Sequence, residues 1–364
     1  MSPIVLSAGG TGGHLFPAQA LAGELLRRGR RIVVMTDRRG RHYDSVFPGA
    51  RIEQVPSATF VGSLVSRAFA PLRIVAGIVV SFFKLRRIKP SAVVGFGGYP
   101  SLPVLAAALM EGLPTAIHEQ NAVLGRVNRQ FADRVKAVAA SLPIARFAPR
   151  DTSRIVYTGN PVRPEAVKHA AAAYAAPREG ETIRLLIFGG SQGARALSEL
   201  VPAAIASLAA DLRTRLDVVQ QCRPEDLEAV RAAYSAAQVK AELAAFFDDL
   251  PARMAAAHLV IARSGASTVS ELAVIGRPAI LIPFPFATDD HQTANAAVFA
   301  DAGAAWLVPQ RDLSAPALAR LLDTILRSPD ELQRRAAAAL SLARPDAASR
   351  LADLVEAIAG RAAA

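Results

Sequence analysis

The sequence predicts an α/β protein built from two Rossmann-like domains, each a parallel sheet covered by helices and facing the other across a cleft. Three observations carry this. Apolar, β-branched runs alternate with helical stretches of ten or more residues along the chain. A strand, glycine turn and helix start occur together twice, at Ile4-Val5-Leu6-Ser7-Ala8-Gly9-Gly10-Thr11-Gly12-Gly13 and at Leu185-Leu186-Ile187-Phe188-Gly189-Gly190-Ser191-Gln192-Gly193-Ala194-Arg195. The length, 364 residues, exceeds one ordinary core.

The strands read in order as residues 4–8, 31–36, 92–95, 115–118 and 154–158 in the first half, and 184–188, 216–221, 259–262 and 279–283 in the second. The break falls at Gly159-Asn160-Pro161-Val162-Arg163-Pro164, where two prolines and a glycine forbid regular structure. Domains of residues 1–160 and 161–340 follow. The Ala/Arg-rich stretch from about residue 332 reads as terminal helix. With 52% hydrophobic and 20% charged residues, extended disorder is excluded.

Charge is divided unevenly. Residues 1–160 carry 21 Lys/Arg and 8 Asp/Glu, net +13, whereas residues 161–364 carry 21 and 23, net −2. The first domain therefore faces an anionic partner and the second does not. A single cysteine, Cys222, forms no intramolecular disulfide, and no Cys/His spacing or D-x-D motif reads as a metal site. A reducing cytosol fits this composition, and the first residues lack the basic and apolar regions of a signal peptide.

Each glycine turn aims unpaired backbone N–H groups at one spot beside a helix N-terminus, which favours phosphate. Neither loop is a Walker A sequence, and the first has leucine (Leu15) where a dinucleotide fingerprint needs its third glycine. Asp37 would nonetheless suit a ribose, so an NAD-dependent oxidoreductase stays open. His14 lies beside the first loop, where the helix dipole favours a neutral imidazole: a base, or a solvated first-turn residue. In Arg263-Ser264-Gly265-Ala266-Ser267-Thr268-Val269-Ser270-Glu271, Thr268 and Glu271 have capping-box spacing, so Glu271 either satisfies a backbone N–H or accepts from a ribose diol. Gln292 reads polar sugar groups or is a surface amide.

Residues 72–87 form an apolar helix ending in Lys84, Arg86, Arg87 and Lys89. Only ten residues between Arg73 and Lys84 are uncharged, too few to span a bilayer, which needs about 20. The helix packs on a sheet, or lies in a membrane interface with Ile74, Ile78, Val79, Phe82 and Phe83 among acyl chains and Lys84 near the headgroups. Nucleic acid is disfavoured, because aromatic residues are 6% and no stacking array appears.

Gly9-Gly10-Thr11-Gly12-Gly13-His14-Leu15-Phe16-Pro17, His118-Glu119-Gln120-Asn121, Gly159-Asn160-Pro161-Val162-Arg163 and the segments 189–195 and 263–271 together closely resemble one family in order along nearly the whole chain. It is the MurG family of bacterial UDP-N-acetylglucosamine transferases, which act on undecaprenyl-pyrophosphoryl-MurNAc-pentapeptide. The resemblance implies a GT-B glycosyltransferase whose last segment, residues 341–364, returns to the first domain. It implies inverting, metal-independent transfer of GlcNAc from UDP-GlcNAc to the 4-hydroxyl of MurNAc in lipid I, with no cofactor. Thr11, Gly12, Gly13, Asn121, Arg163, Ser191, Phe247, Ala266, Ser267, Thr268, Val269, Ser270, Glu271 and Gln292 would contact the donor. Gly97, Gly98 and Tyr99 would face the acceptor diphosphate. His14 would be the base, with Glu119 in reserve. The protein would sit peripherally on the cytoplasmic face of the inner membrane, at an anionic surface. Phe247 stands where the family commonly has an aliphatic residue near the uracil, and His291 precedes Gln292 where some members carry a second glutamine. A non-catalytic scaffold binding nucleotide sugars at the membrane is the third reading.

Overall fold

Along the first strand Ile4, Leu6 and Ala8 join one apolar cluster and Val5 another, and all four are fully buried. Burial on both faces is what a parallel sheet covered by helices requires. The computed structural model describes residues 2–9, 12–37, 46–57, 70–190 and 194–360. Thr11 and Ser191, both expected at the donor, lie outside these residues. The chain divides into two compact units: residues 1–163 with 344–364, and residues 164–343.

The first unit holds strands β1 (Ile4–Ser7), β2 (Ile32–Thr36), β3 (Arg51–Gln54), β4 (Ala92–Gly95), β5 (Thr115–Glu119), β6 (Ala137–Ala140) and β7 (Ile155–Tyr157). They are parallel in the order β3-β2-β1-β4-β5-β6-β7. Helices Gly12–Arg27 and Ala347–Gly360 cover one face, the latter contributing Leu351, Val355 and Ile358 to its core. Arg28 fastens the two, donating to Asp353 (2.6 Å), Glu356 (2.9 Å) and Ser349 Oγ (2.8 Å). Helices Ala70–Ile88 and Ser101–Met110 cover the other face, through Leu85, Val104 and Ala107.

The second unit repeats the plan with β8 (Ile183–Phe188), β9 (Leu216–Gln221), β10 (Lys240–Ala244), β11 (Leu259–Ala262), β12 (Ala279–Leu281) and β13 (Ala305–Leu307). They are parallel in the order β10-β9-β8-β11-β12-β13. All nine strands read from the sequence are present. Four others are not legible there. β3, β10 and β13 are edge strands, two of them rich in charged residues and the third only three residues long, and β6 (Ala-Val-Ala-Ala) has the composition of a helix.

Between helix Ala266–Ile275 and β12, Gly276 ends the helix at φ +74°, and a Cβ there would lie 2.5 Å from Leu340. The next side chain, Arg277, is 2% exposed. Its guanidinium donates to the carbonyls of Ala255 and Ala172 (both 3.1 Å), Ile275 and Gly276 (both 3.0 Å) and Ala173 (3.3 Å). Burial lowers its pKa, and the carbonyl dipoles hold the charge in place. Replacing Arg277 by methionine strands these acceptors and should lower the stability of the second unit by about 3 kcal/mol, read from urea denaturation. Arg277→Lys should recover part of the loss.

Candidate active site

In both sheets the strand order reverses beside the first strand, between β1 and β4 and between β8 and β11. Loops leaving the carboxyl ends of such a pair diverge to opposite faces and leave a crevice. The second unit shows this as a cavity of about 610 Å³. Gly189 and Gly190 line it after β8, Gly265 and Thr268 after β11, and Phe284 and Phe286 after β12. Helix Arg195–Ala206 follows the first of these loops and helix Ala266–Ile275 the second, and among the described residues neither has a side-chain cap from its N-cap residue, which leaves first-turn N–H groups for an anion. Helix Ala266–Ile275 starts two residues before Thr268, with Gly265 as its N-cap, so the capping-box reading of Thr268 and Glu271 is wrong. Glu271 is instead a buried carboxyl in the second turn, on the same helix as Ala266, Ser267, Val269 and Ser270, whose hydroxyl returns to the Ala266 carbonyl (2.8 Å).

Gln292 also lines the cavity, and its Oε1 accepts from the Phe284 N–H (2.9 Å), holding the Phe284 loop in place. Arg263 supports the same loop from beneath, donating to the Ile282 (3.1 Å) and Pro283 (3.0 Å) carbonyls and to Gln310 Oε1 (2.6 Å). Phe284 and Phe286 meet edge to face, 5.7 Å between centroids, and Phe286 is 83% exposed. No sequence pattern singled out this aromatic pair. Its position after the strand next to the switch point is the signal that could have found it. Phe247 is buried, its ring 4.2 Å from the Arg253 guanidinium, and does not line the cavity. Arg163 belongs to the first unit.

The basic, apolar helix Ala70–Ile88 packs on the first sheet rather than standing off it. Gly77 makes this possible, since a Cβ there would lie 2.1 Å from the Pro56 carbonyl oxygen. Ile78 and Phe82 turn inward onto the core, whereas Leu72, Val75, Val79 and Phe83 form an exposed stripe; Ile74 is half-buried. Lys84, expected near headgroups, is paired with Glu53, which also pairs with Arg51. Burial pushes the Glu53 carboxyl up, but these two cations outweigh it and hold the carboxyl below its usual range. Arg86 is engaged by Glu111 (3.1 Å). No helix among the described residues is long and apolar enough to cross a membrane.

In the first unit three loops converge. Gly9 follows β1, Gly97 and Gly98 follow β4, and Gln120 and Asn121 follow β5. Gly97 (φ +85°) and Gly98 (φ +72°) take left-handed conformations against the His14 ring: Cβ atoms there would lie 3.2 Å from His14 Cε1 and 3.4 Å from Cδ2. Tyr99 comes next, half-buried. His14, in the first turn of helix Gly12–Arg27, is half-buried, with Nδ1 2.9 Å from Gln120 Oε1. The predicted base and acceptor loop thus lie together.

Glu119 has a different task from the one expected. It is 1% exposed, and Oε1 accepts from the Asn121 N–H (3.1 Å) and Nδ2 (3.2 Å) while Oε2 accepts from the Gly125 N–H and Asn128 Nδ2 (both 2.8 Å). A carboxylate accepting four hydrogen bonds shapes the loop and orients Asn121, and is ill suited to collect a substrate proton. Beside it His118 is fully buried, and burial pushes its pKa down to about 4. An unfolded histidine titrates near 6.5, so between about pH 6.5 and 4 the unfolded chain binds the extra proton and the folded one does not. Stability contributed by neutral His118 is complete above that window and lost as the pH falls through it, by roughly 3 kcal/mol. Urea midpoints for the first unit should drop from pH 7 to pH 4.5, and more shallowly in His118→Gln.

Comparison with known proteins agrees with this architecture. The glycosyltransferase family 28 N-terminal domain matches residues 4–140 and the family 28 C-terminal domain residues 184–351. A UDP-N-acetylglucosamine–N-acetylmuramyl-(pentapeptide) pyrophosphoryl-undecaprenol N-acetylglucosamine transferase of Rhodospirillum centenum is 50% identical, covering 99% of this chain and 95% of its own length. The transferase of the same name from Chelativorans sp. is 52% identical, covering 98% and 95%. The crystal structure of Acinetobacter baumannii MurG superposes with a TM-score of 0.81 at 31% identity, covering 98% of this chain and 99% of that one. Two parallel-sheet units of the GT-B fold, matched in order by both family 28 domains and sharing half their residues with these transferases, mean that the chain belongs to glycosyltransferase family 28, among the MurG transferases.

Proposed function

We propose that the chain transfers GlcNAc from UDP-GlcNAc to the 4-hydroxyl of MurNAc in undecaprenyl-pyrophosphoryl-MurNAc-pentapeptide, lipid I, and so forms lipid II for peptidoglycan. The observation that carries this reading is the 50% identity to a transferase of that name over nearly the full length of both chains. The dinucleotide alternative finds no counterpart among these relatives. In the second unit, the open N-termini of helices Arg195–Ala206 and Ala266–Ile275 favour the donor diphosphate, and Glu271, Thr268 and Gln292 serve the ribose and sugar hydroxyls. In the first unit, Gly97, Gly98 and Tyr99 serve the acceptor diphosphate beside His14.

The chemistry is one displacement. The MurNAc O4 attacks the anomeric carbon of GlcNAc as the bond from that carbon to the UDP oxygen breaks, and the configuration inverts. The bonding pair leaves on UDP, and the hydroxyl proton passes to His14 Nε2. Charge gathering on UDP is met by the helix N-termini, so no divalent ion is needed in this mechanism. Purified protein should release UDP only when a short-chain lipid I analogue is present, and should do so in excess EDTA. His14→Ala should lower kcat by roughly 100-fold or more with little change in the KM for UDP-GlcNAc. UDP release without acceptor, or its loss in EDTA, would count against the mechanism.

The exposed stripe Leu72, Val75, Val79 and Phe83, flanked by Arg73, Arg87 and Lys89, supports docking on the anionic inner leaflet, where each cation contributes about 1 kcal/mol. Val79→Glu with Phe83→Glu should reduce partitioning onto anionic vesicles at least about tenfold while leaving UDP-GlcNAc affinity unchanged.

A further inference from the structure

Gln120 is 1% exposed and stands between two histidines. Its Nε2 is 3.1 Å from the Phe96 carbonyl oxygen and 3.2 Å from that of His118, two atoms that can only accept. This end of the side chain must therefore be the NH2 group, and the other end the oxygen. That oxygen lies 2.9 Å from His14 Nδ1, so Nδ1 must carry a hydrogen. In the neutral ring the lone pair is then on Nε2. The same NH2 group lies 2.9 Å from His118 Nδ1, which accepts, leaving the His118 Nε2–H to face the Gly159 carbonyl (3.4 Å) and Ser141 Oγ (3.3 Å). Every donor in this row has an acceptor, and reversing the amide would set an oxygen against two carbonyls.

We propose that Gln120 is a positioning residue for the transfer, its amide fixing the His14 tautomer so that Nε2 presents a lone pair to the acceptor hydroxyl, with His118 locking the amide from behind. This rests on His14 being the base. Histidine bases in hydrolases are commonly set by a carboxylate at the far nitrogen. Here a neutral amide does the same, and the nearest carboxyl in the sequence, Glu119, is spent on its own loop. An amide orients the ring without adding a negative charge near an acceptor that already carries a diphosphate.

The test joins a spectrum to kinetics in the full-length protein. Long-range proton–nitrogen spectra of protein with isotope-labelled histidine, at about pH 8, should show His14 with its proton on Nδ1; His14→Asn assigns the signal. Gln120→Met keeps the volume but removes the amide, and should shift His14 towards the Nε2–H form. Its kcat should fall roughly 10- to 100-fold with the KM for UDP-GlcNAc within about twofold, as when other partners that orient a ring are removed. Gln120→Glu, protonated on the oxygen that faces the Phe96 and His118 carbonyls, restores an oxygen opposite His14 Nδ1 and should recover the tautomer and part of kcat. A wild-type His14 protonated on Nε2 would overturn the proposal, as would a Gln120→Met enzyme with unchanged tautomer and kcat, or one altered in KM alone. If Gln120→Met does not fold, the wild-type and Gln120→Glu spectra still decide. If the wild-type protein transfers no sugar, the base assignment fails, while the spectrum still reports whether Gln120 sets the tautomer.

Discussion

Each sheet reverses its strand order once, beside its first strand, and the two units do so in the same way. β1 pairs with β2 on one side and β4 on the other, and β8 with β9 and β11. Helices leaving β1 and β4 must cover opposite faces, so the turns between strand and helix part company at that point. What opens is a notch floored by strand ends and rimmed by backbone N–H groups. Glycine is needed there because the chain must turn within a few atoms of its neighbour. At Gly9 a Cβ would lie 2.6 Å from the Pro100 ring.

The notch also explains why so much polar matter is buried in a unit otherwise filled with aliphatic residues. Ser7, Ser101, His118, Glu119, Gln120 and Asn128 are each no more than 1% exposed, and all gather at or just beyond the carboxyl ends of the strands. Burial of this kind costs little where donors and acceptors are matched, as they are here apart from Asn128 Oδ1, which has no partner among the described residues. Ser101 Oγ lies 2.7 Å from the Ser7 carbonyl and 2.8 Å from that of Gly97, and Asn128 Nδ2 answers both Glu119 and the His118 carbonyl. Such a network gives the loops one arrangement, which aliphatic packing alone would leave looser.

Central strands were legible in the sequence because two-sided burial demands unbroken apolar runs, as in Ile4-Val5-Leu6 or Leu185-Leu186-Ile187. β3 and β10 escaped because an edge strand with a wet face needs no such run, and β6 because alanine suits a crowded strand as well as a helix. The glycine loops were legible for a similar reason: a tight turn at a strand end leaves a compositional mark. The roles of Glu119 and Gln120 left none. Adjacent in sequence, one curls back onto its own loop while the other reaches His14, 106 residues away, and only the pairing of β1 with β4 and of β4 with β5 sets that distance. Nor does hydropathy tell Ile78 from Val79, since the inward side of their helix is decided by where Gly77 lets Pro56 approach.

The first unit is assembled from both ends of the chain, with Leu351, Val355 and Ile358 in the same core as Ile4 and Leu21. During synthesis on the ribosome its sheet emerges early, yet one of the two helices that cover one face is made only after the entire second unit. The second unit is a continuous stretch and can close as it appears. The first must wait with part of an apolar face bare, so the two halves of this protein mature in the reverse of the order in which they are made.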